Sequence, residues 1–208
     1  MTEAGQGRAR GRPADPDIDA RVLQAGVELF AEVGWKAFNL DGVARRARVG
    51  KAALYRRWPS KERLIMDALE QLALPAVEFD TGSLRGDLLE LGHYILRVNL
   101  SATGLTGLRA AIEAKREPGV FGQRLEQVIR QQVDIGRSMI GRAVERGEVP
   151  AGTSSWLVFN ALTGTLQNRV LMTPADKLPG LEREADAVVE SVVDFLLSAV
   201  HYTPRTTS

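Results

Sequence analysis

The sequence predicts an all-α protein built from a three-helix N-terminal unit and a larger helical unit. Apolar residues recur at helical spacing along almost the whole chain, strand-type alternation is nearly absent, and Gly, Pro and Ser fall between the periodic segments. The 208 residues are 44% hydrophobic and 25% charged, which is typical of an ordinary globular protein. We expect a disordered basic tail at residues 1–14, the N-terminal unit at 15–66 and the second unit at 67–208.

The boundaries of the helices follow from capping and breaking residues. Asp15-Pro16 is typical of an N-cap followed by proline at the first helical position, and Gly34 ends the first periodic segment. Asn39 and Ser60 are expected to cap the second and fourth helices. The predicted helices cover residues 16–34, 40–47, 51–57, 61–74, 83–101, 105–116, 119–146, 153–173 and 180–200.

Composition excludes several classes of function. The absence of cysteine excludes a disulfide scaffold, a thiol nucleophile and Cys-ligated metal, and two histidines exclude a His-rich metal site. No apolar run approaches the ~18 residues of a membrane span, and residues 1–17 lack the apolar core of a secretory signal. No serine elbow, phosphate loop or other catalytic constellation is present. We therefore expect a cytoplasmic protein that is not an enzyme and has neither a cofactor nor a membrane partner.

Charge is distributed unevenly along the chain. Residues 1–66 contain 13 Lys and Arg against 8 Asp and Glu, a net charge of +5, whereas residues 67–208 contain 14 against 18, a net charge of −4. Residues 42–63 contain eight basic residues and one acidic residue. A short basic module on a mildly acidic body favours a polyanion as partner of the first unit. A solvated, arginine-rich surface is the alternative.

Two short helices joined by a tight turn inside this basic segment are typical of a helix-turn-helix. In that motif the second helix projects polar side chains into the major groove. Val43, Ala44 and Leu54 are among the residues expected inside the angle between the helices. The residues expected to face outward are Lys51, Ala52, Ala53, Tyr55, Arg56 and Arg57. A small helical bundle without this function is the alternative interpretation.

A longer motif in the same region resembles a known family. It reads Gly34-Trp35-x-x-Phe38-Asn39-Leu40-x-x-Val43-Ala44-x-x-Ala47-x-Val49-x-x-x-x-Leu54-Tyr55-x-x-Trp58-x-Ser60-Lys61-Glu62-x-Leu64. Residues 17–69 strongly resemble the DNA-binding domain of tetracycline-repressor (TetR) type transcriptional regulators. The resemblance implies an all-helical homodimer with an N-terminal helix-turn-helix domain and a C-terminal domain that binds a small molecule and dimerises. It implies a repressor that binds double-stranded, palindromic operator DNA and is released by a small apolar effector.

The resemblance also implies roles for individual residues. Lys51 and Ala52 would face base edges, and Lys51 is the best candidate for a guanine contact. The residues implied to contact phosphates or the groove are Tyr55, Arg57, Lys61, Arg45 and Arg56. A solvent-exposed charge is the alternative for each arginine taken alone.

The turn of the motif departs from the family pattern. Arg48 stands where the family usually has glycine, so Arg48 is expected to adopt a left-handed conformation that glycine would adopt without strain. Gly50 stands where serine is usual and offers no hydroxyl to a phosphate, and Asn39 replaces threonine as the cap.

The tail contains a second DNA-binding signal. Arg10-Gly11-Arg12-Pro13 resembles the core of an AT-hook, in which two arginines lie along a narrow minor groove. A disordered basic leader without base preference is the alternative.

The second unit contains a stripe of polar groups on the helix at residues 153–173. Trp156, Asn160, Thr163 and Gln167 offer one aromatic surface and three hydrogen-bonding groups, which is typical of a small-molecule pocket. Candidate partners on other helices are His93 and Gln132. A wet dimer seam is the alternative for the stripe, and a hydrogen-bonded core histidine is the alternative for His93.

Two further faces predict self-association. On the helix at residues 153–173, the stripe next to the polar one has a small residue, Gly164, at its centre. The last helix has an apolar arc around Val188 and Val192 that is too wide to be covered by one neighbouring helix.

Two other classes of function remain as alternatives. One is a helical small-molecule-binding protein or enzyme with an incidental basic N-terminus, and the other is an architectural DNA-binding protein without an effector.

Overall fold

A computed structural model describes residues 17–70, 79–101 and 104–200, and these residues form helices and no strand. The all-α prediction is therefore confirmed. The helices are α1 (Asp17–Ala37), α2 (Leu40–Ala47), α3 (Lys51–Arg57), α4 (Lys61–Glu70), α5 (Leu84–Leu100), α6 (Thr106–Arg116), α7 (Pro118–Glu145), α8 (Ser155–Leu171), α9 (Leu178–Arg183) and α10 (Ala185–Val200), with a 3-10 turn at Ala175–Lys177.

None of the described helices combines the length and the apolar character of a membrane span. The predicted Asp15-Pro16 cap and the end of the fourth helix lie outside the described residues.

Polar side chains cap the helices where the sequence predicts them. Asn39 Oδ1 accepts a hydrogen bond from the backbone N–H of Gly42 at 2.8 Å, and Ser60 Oγ accepts one from the N–H of Arg63 at 3.2 Å. Each such cap satisfies an N–H that has no partner inside the helix and contributes about 1 kcal/mol. The short helices α2 and α4 therefore begin at residues that the sequence alone specifies.

One predicted boundary coincides with a break in the structure and another differs. Gly34 has φ 70° and ψ 179°, so regular helical geometry is interrupted at the predicted end of the first helix, and the residues up to Ala37 form a further turn beyond this kink. The predicted last helix is divided into α9 and α10 at Glu184, whose ψ is 9°. Glu184 is not a helix breaker, so the apolar periodicity continues through it and does not reveal the division.

Buried side chains form two clusters. The N-terminal cluster includes Val22, Phe30, Leu54 and Leu64 from α1, α3 and α4. The second cluster is formed mainly by α5, α7, α8 and α10 and includes Leu91, Leu162 and Val193.

Helices α6 and α7 join the two units. Phe121 of α7 is 1% exposed and belongs to the N-terminal cluster. Its ring stacks on Phe30, with centroids 5.7 Å apart, and lies edge-on to Trp35 at 5.2 Å. Arg109 of α6 donates a hydrogen bond to the carbonyl of Ala31. The core of the N-terminal unit is thus closed by residues far away in the sequence.

The turn between α2 and α3 places Arg48 in the left-handed region, with φ 56° and ψ 44°, as the sequence predicts. Its N–H donates to the carbonyl of Arg45 at 3.3 Å, and the N–H of Val49 donates to the carbonyl of Ala44 at 3.0 Å. This pair of bonds is the Schellman pattern that usually ends in glycine. A side chain at this position stores strain of about 1 kcal/mol or more.

Arg48→Gly is therefore expected to stabilise the protein by about 1 kcal/mol, because glycine adopts positive φ without strain. Arg48→Ala serves as the matched control, since it removes the same charge and keeps a side chain at positive φ. Thermal or urea unfolding of the two variants measures the difference. Equal stability of the two variants would contradict a strained turn.

Candidate DNA-binding surface and ligand cavity

The helix-turn-helix buries one face of α3 and exposes the other. Leu54 is fully buried and packs in the cluster that contains Val43 of α2. This packing fixes α3 across α2, and the opposite side of α3 lies at the surface. The exposed residues there are Lys51, Ala52, Tyr55 and Arg56. The structure thus places these four predicted contact residues on one surface.

Asp41 lies beside this surface and holds two of its side chains. Lys51 Nζ donates to Asp41 Oδ2 at 2.7 Å, and Tyr55 Oη donates to Asp41 Oδ1 at 3.3 Å. The hydrogen bond from Lys51 holds the pKa of the Asp41 carboxyl below its ordinary value. Sequence reasoning missed Asp41, because the contact depends on the angle between α2 and α3. A DNA phosphate or base edge would have to compete with this carboxylate for Lys51.

Two other predicted contacts have partners within the chain. Arg57 Nε lies 2.7 Å from Asp19 Oδ1. Lys61 Nζ lies 4.0 Å from the centroid of the Trp35 ring and donates to the Trp35 carbonyl at 3.4 Å. Both cations therefore also hold α1 against the helices that follow it.

The remaining predicted DNA contacts are Arg45, Arg10 and Arg12. Arg45 of α2 is exposed. Arg10 and Arg12 lie outside the described residues, so the tail motif stays a prediction.

A cavity of about 280 Å³ lies among α5, α6, α7 and α8, beside Leu69 of α4. Its wall is mostly apolar, and one of its apolar side chains is Phe121. Three of the predicted ligand-binding residues, Gln132, Thr163 and Gln167, line the cavity. The other side chains in the wall that have polar groups are Tyr94, Asn99, Arg124 and Gln131.

The other three predicted ligand-binding residues lie outside the cavity wall. Trp156 is 63% exposed, and the exposed Asn160 donates to the Trp156 carbonyl at 2.8 Å. Trp156 is on the same side of α8 as Thr163 but about two turns, or about 10 Å, earlier along the axis. His93 is half-buried on α5, and its Nε2 lies 3.1 Å from Asp186 Oδ1 of α10.

Sequence reasoning missed the cation in the cavity wall. Gln132 is the one residue of α7 that the sequence predicts at the ligand site, whereas Arg124 and Gln131 also line the cavity. The sequence held only part of the signal. Arg124 follows Phe121 by three residues and precedes Val128 by four, which places all three near one helix face but does not show whether that face borders a cavity or solvent.

Family models match both units of the chain. Residues 22–68 match the model of the tetR family of bacterial regulatory proteins. Residues 79–192 match that of the tetracyclin repressor-like C-terminal domain. The chain therefore belongs to the TetR family of helix-turn-helix transcriptional regulators.

Individual relatives agree with this assignment. An uncharacterised HTH-type transcriptional regulator of Mycobacterium tuberculosis is 30% identical over 187 residues, which are 88% of this chain and 91% of that protein. A protein named DNA-binding transcriptional repressor TetR from Mycobacteroides abscessus is 30% identical over 161 residues, 74% of this chain and 82% of that protein.

Solved structures share the fold at low identity. FadR from Bacillus subtilis, in complex with stearoyl-CoA, has a TM-score of 0.67 at 16% identity and covers 88% of this chain and 99% of that chain. GusR from Salmonella enterica has a TM-score of 0.65 at 18% identity, with 90% and 100% coverage.

The predicted roles of Lys51 and Lys61 differ in a measurable way. Lys51→Ala is expected to lose discrimination at particular base pairs, because a base-edge contact carries sequence information. Lys61→Ala is expected to weaken all duplexes alike and to reduce the slope of log affinity against log salt by about one unit. Selection from randomised duplexes followed by salt-dependent titrations measures both effects.

Lys177→Ala, which removes a lysine from the 3-10 turn of the second unit, is the charge-matched control. Because Lys61 also packs on Trp35, a loss of DNA affinity could come from a lost DNA contact or from a destabilised fold. Thermal unfolding of each variant distinguishes these two causes. Unchanged sequence preference in Lys51→Ala would show that α3 is wrongly assigned as the recognition helix.

Proposed function

We propose that this chain binds palindromic operator DNA as a homodimer and represses transcription until a small, mostly apolar molecule enters the cavity. The observation that carries the proposal is the position of Phe121, which lines the cavity and packs in the core of the DNA-binding unit. A ligand in contact with this ring acts directly on the packing that supports the helix-turn-helix. Acting on operator DNA would place the protein in the cytoplasm.

For DNA binding, α3 would enter the major groove and its flanking cations would contact the backbone. Two recognition helices of a dimer would then read half-sites about 34–36 Å apart. The proposed contact residues are Arg45, Lys51, Ala52, Tyr55, Arg56, Arg57 and Lys61, with Arg10 and Arg12 of the tail in the adjacent minor groove. The exposure of the α3 face and the basic charge around it support this assignment.

For dimerisation, we propose the outer surface of α8 and α10, which pack against each other. This surface exposes large apolar side chains, including Trp156, Leu157, Leu171 and Phe195, the last of which is 69% exposed. Contiguous exposed apolar area of this kind marks an interaction surface. Asn160 and Gly164 lie on the same side of α8 and are also exposed.

Gly164→Leu is expected to weaken the dimer by about 1–3 kcal/mol through overpacking of the interface. A Cβ at Gly164 would meet no side chain or other helix of the described residues within 4 Å, so the effect would come from the partner. Gly141→Leu is the matched control, because Gly141 is also an exposed helical glycine with free space around it. Sedimentation measures the dissociation constants, and an unchanged Gly164→Leu dimer would exclude this surface.

For effector binding, Gln132, Thr163 and Gln167 would orient a ligand among apolar side chains. The FadR structure with stearoyl-CoA supports the idea that this fold accommodates a ligand. Because α4 contributes Leu69 to the cavity wall, ligand binding would also alter the support of the DNA-binding unit.

Ligand and operator are expected to oppose each other's binding. A ligand that favours the DNA-incompetent arrangement by about 1–3 kcal/mol weakens operator binding by about 5–150-fold, and the operator must weaken ligand binding by the same factor. A ligand identified by thermal-shift screening is titrated with and without an operator selected from random duplexes. Equal ligand affinity in both titrations would show that the two sites are uncoupled.

A further inference from the structure

The wall of the cavity contains one type of charge. Its polar groups are the neutral side chains of Tyr94, Asn99, Gln131, Gln132, Thr163 and Gln167, together with the guanidinium of Arg124. No carboxylate from the described residues lines the cavity. Among the described residues, the half-buried Arg124 is therefore the one charged group in a cavity wall that is otherwise apolar or neutral.

The hydrogen bonds that Arg124 makes to other described residues are long, and their acceptors are neutral. Its Nη2 donates to the carbonyl of Leu69 at 3.3 Å, and its Nη1 donates to Gln127 Oε1 at 3.5 Å. A guanidinium bound to a carboxylate forms paired, charge-assisted bonds of about 2.7–2.9 Å, which are roughly twice as strong as neutral ones. An incoming carboxylate is thus a better partner for Arg124 than either of its present acceptors.

The position of Leu69 connects this cation to the DNA-binding unit. Leu69 belongs to α4, which follows the helix-turn-helix, and its buried side chain packs in the N-terminal cluster. The bond from Arg124 to Leu69 therefore joins the cavity wall on α7 to α4, which packs against α1 in the N-terminal cluster. A ligand that captures Arg124 removes this connection.

We propose that the effector is a small amphiphile with one carboxylate, which binds Arg124 while its apolar chain lies along Val98, Leu108 and Val128. The carboxylate competes with the Leu69 carbonyl for the guanidinium. Binding of the acid therefore breaks the hydrogen bond that joins Arg124 to α4. The cavity volume of about 280 Å³ is just below the ~300–1,000 Å³ typical of small-molecule sites, so it suits a short acyl or phenylalkyl chain. This inference rests on the effector-responsive function proposed above.

Matched pairs of acids and alcohols test the inference on the full-length protein. Hexanoate, octanoate, decanoate and 3-phenylpropionate are each compared with the alcohol of the same chain by calorimetry at constant pH and salt. At least one acid is expected to bind at least tenfold more tightly than its alcohol. Arg124→Gln is expected to abolish this preference while it still binds the alcohol, and Arg130→Gln, on an exposed part of the same helix, is expected to keep the preference.

Operator affinity provides the second measurement. The preferred acid is expected to weaken operator binding of the wild type and to have no such effect on Arg124→Gln. Equal binding of acid and alcohol, no binding by any pair, or an acid preference that persists in Arg124→Gln would overturn the inference. Operator binding by the ligand-free protein tests the regulator function separately, so failure of the acid does not count against DNA binding.

Discussion

The phenyl ring of Phe121 is the contact on which the arrangement of the two units depends. It belongs to α7, yet it is buried between Phe30 and Trp35 of α1. Full burial of such a ring contributes about 1.5–3 kcal/mol, and each aromatic pair adds about 0.5–1.5 kcal/mol. The same ring forms part of the cavity wall. A single layer of side chains therefore separates the proposed effector from the core of the DNA-binding unit.

Four of the proposed DNA-contact residues have partners within the chain. Asp41 holds Lys51 and Tyr55, Asp19 holds Arg57, and Trp35 holds Lys61. These contacts reduce the conformational freedom that long side chains would otherwise lose on binding. If these cations contact DNA as proposed, phosphates have to displace the carboxylates of Asp19 and Asp41. Net affinity then depends on how well a DNA sequence replaces these intramolecular partners.

Local signals explain why the N-terminal helices could be predicted closely. Asn39 and Ser60 are cap residues whose hydrogen bonds lie within three positions in the sequence, and the left-handed Arg48 follows from the family pattern. The division at Glu184 carries no such signal, since the residue itself favours a helix.

The cavity could be predicted only in part, for a geometric reason. Periodicity gives the angle of a residue around a helix and not the level along the axis at which a neighbouring helix leaves a gap. Trp156 and Thr163 share an angle on α8, but only Thr163 is at the level of the cavity. Arg124 lies at the edge of the apolar face of α7, where the sequence does not distinguish a cavity from solvent. The contact between Asp41 and Lys51 depends on tertiary packing for the same reason.

The kink at Gly34 has a consequence for how this chain can evolve. Its positive φ disfavours a side chain, and a Cβ there would also lie 2.8 Å from a guanidinium nitrogen of Arg109. The same guanidinium donates to the carbonyl of Ala31 and so holds α6 against α1. A larger residue at position 34 thus requires a new backbone conformation and also displaces the guanidinium of Arg109. A substitution at the kink therefore disturbs a contact between the units that is made by a residue 75 positions further along the sequence.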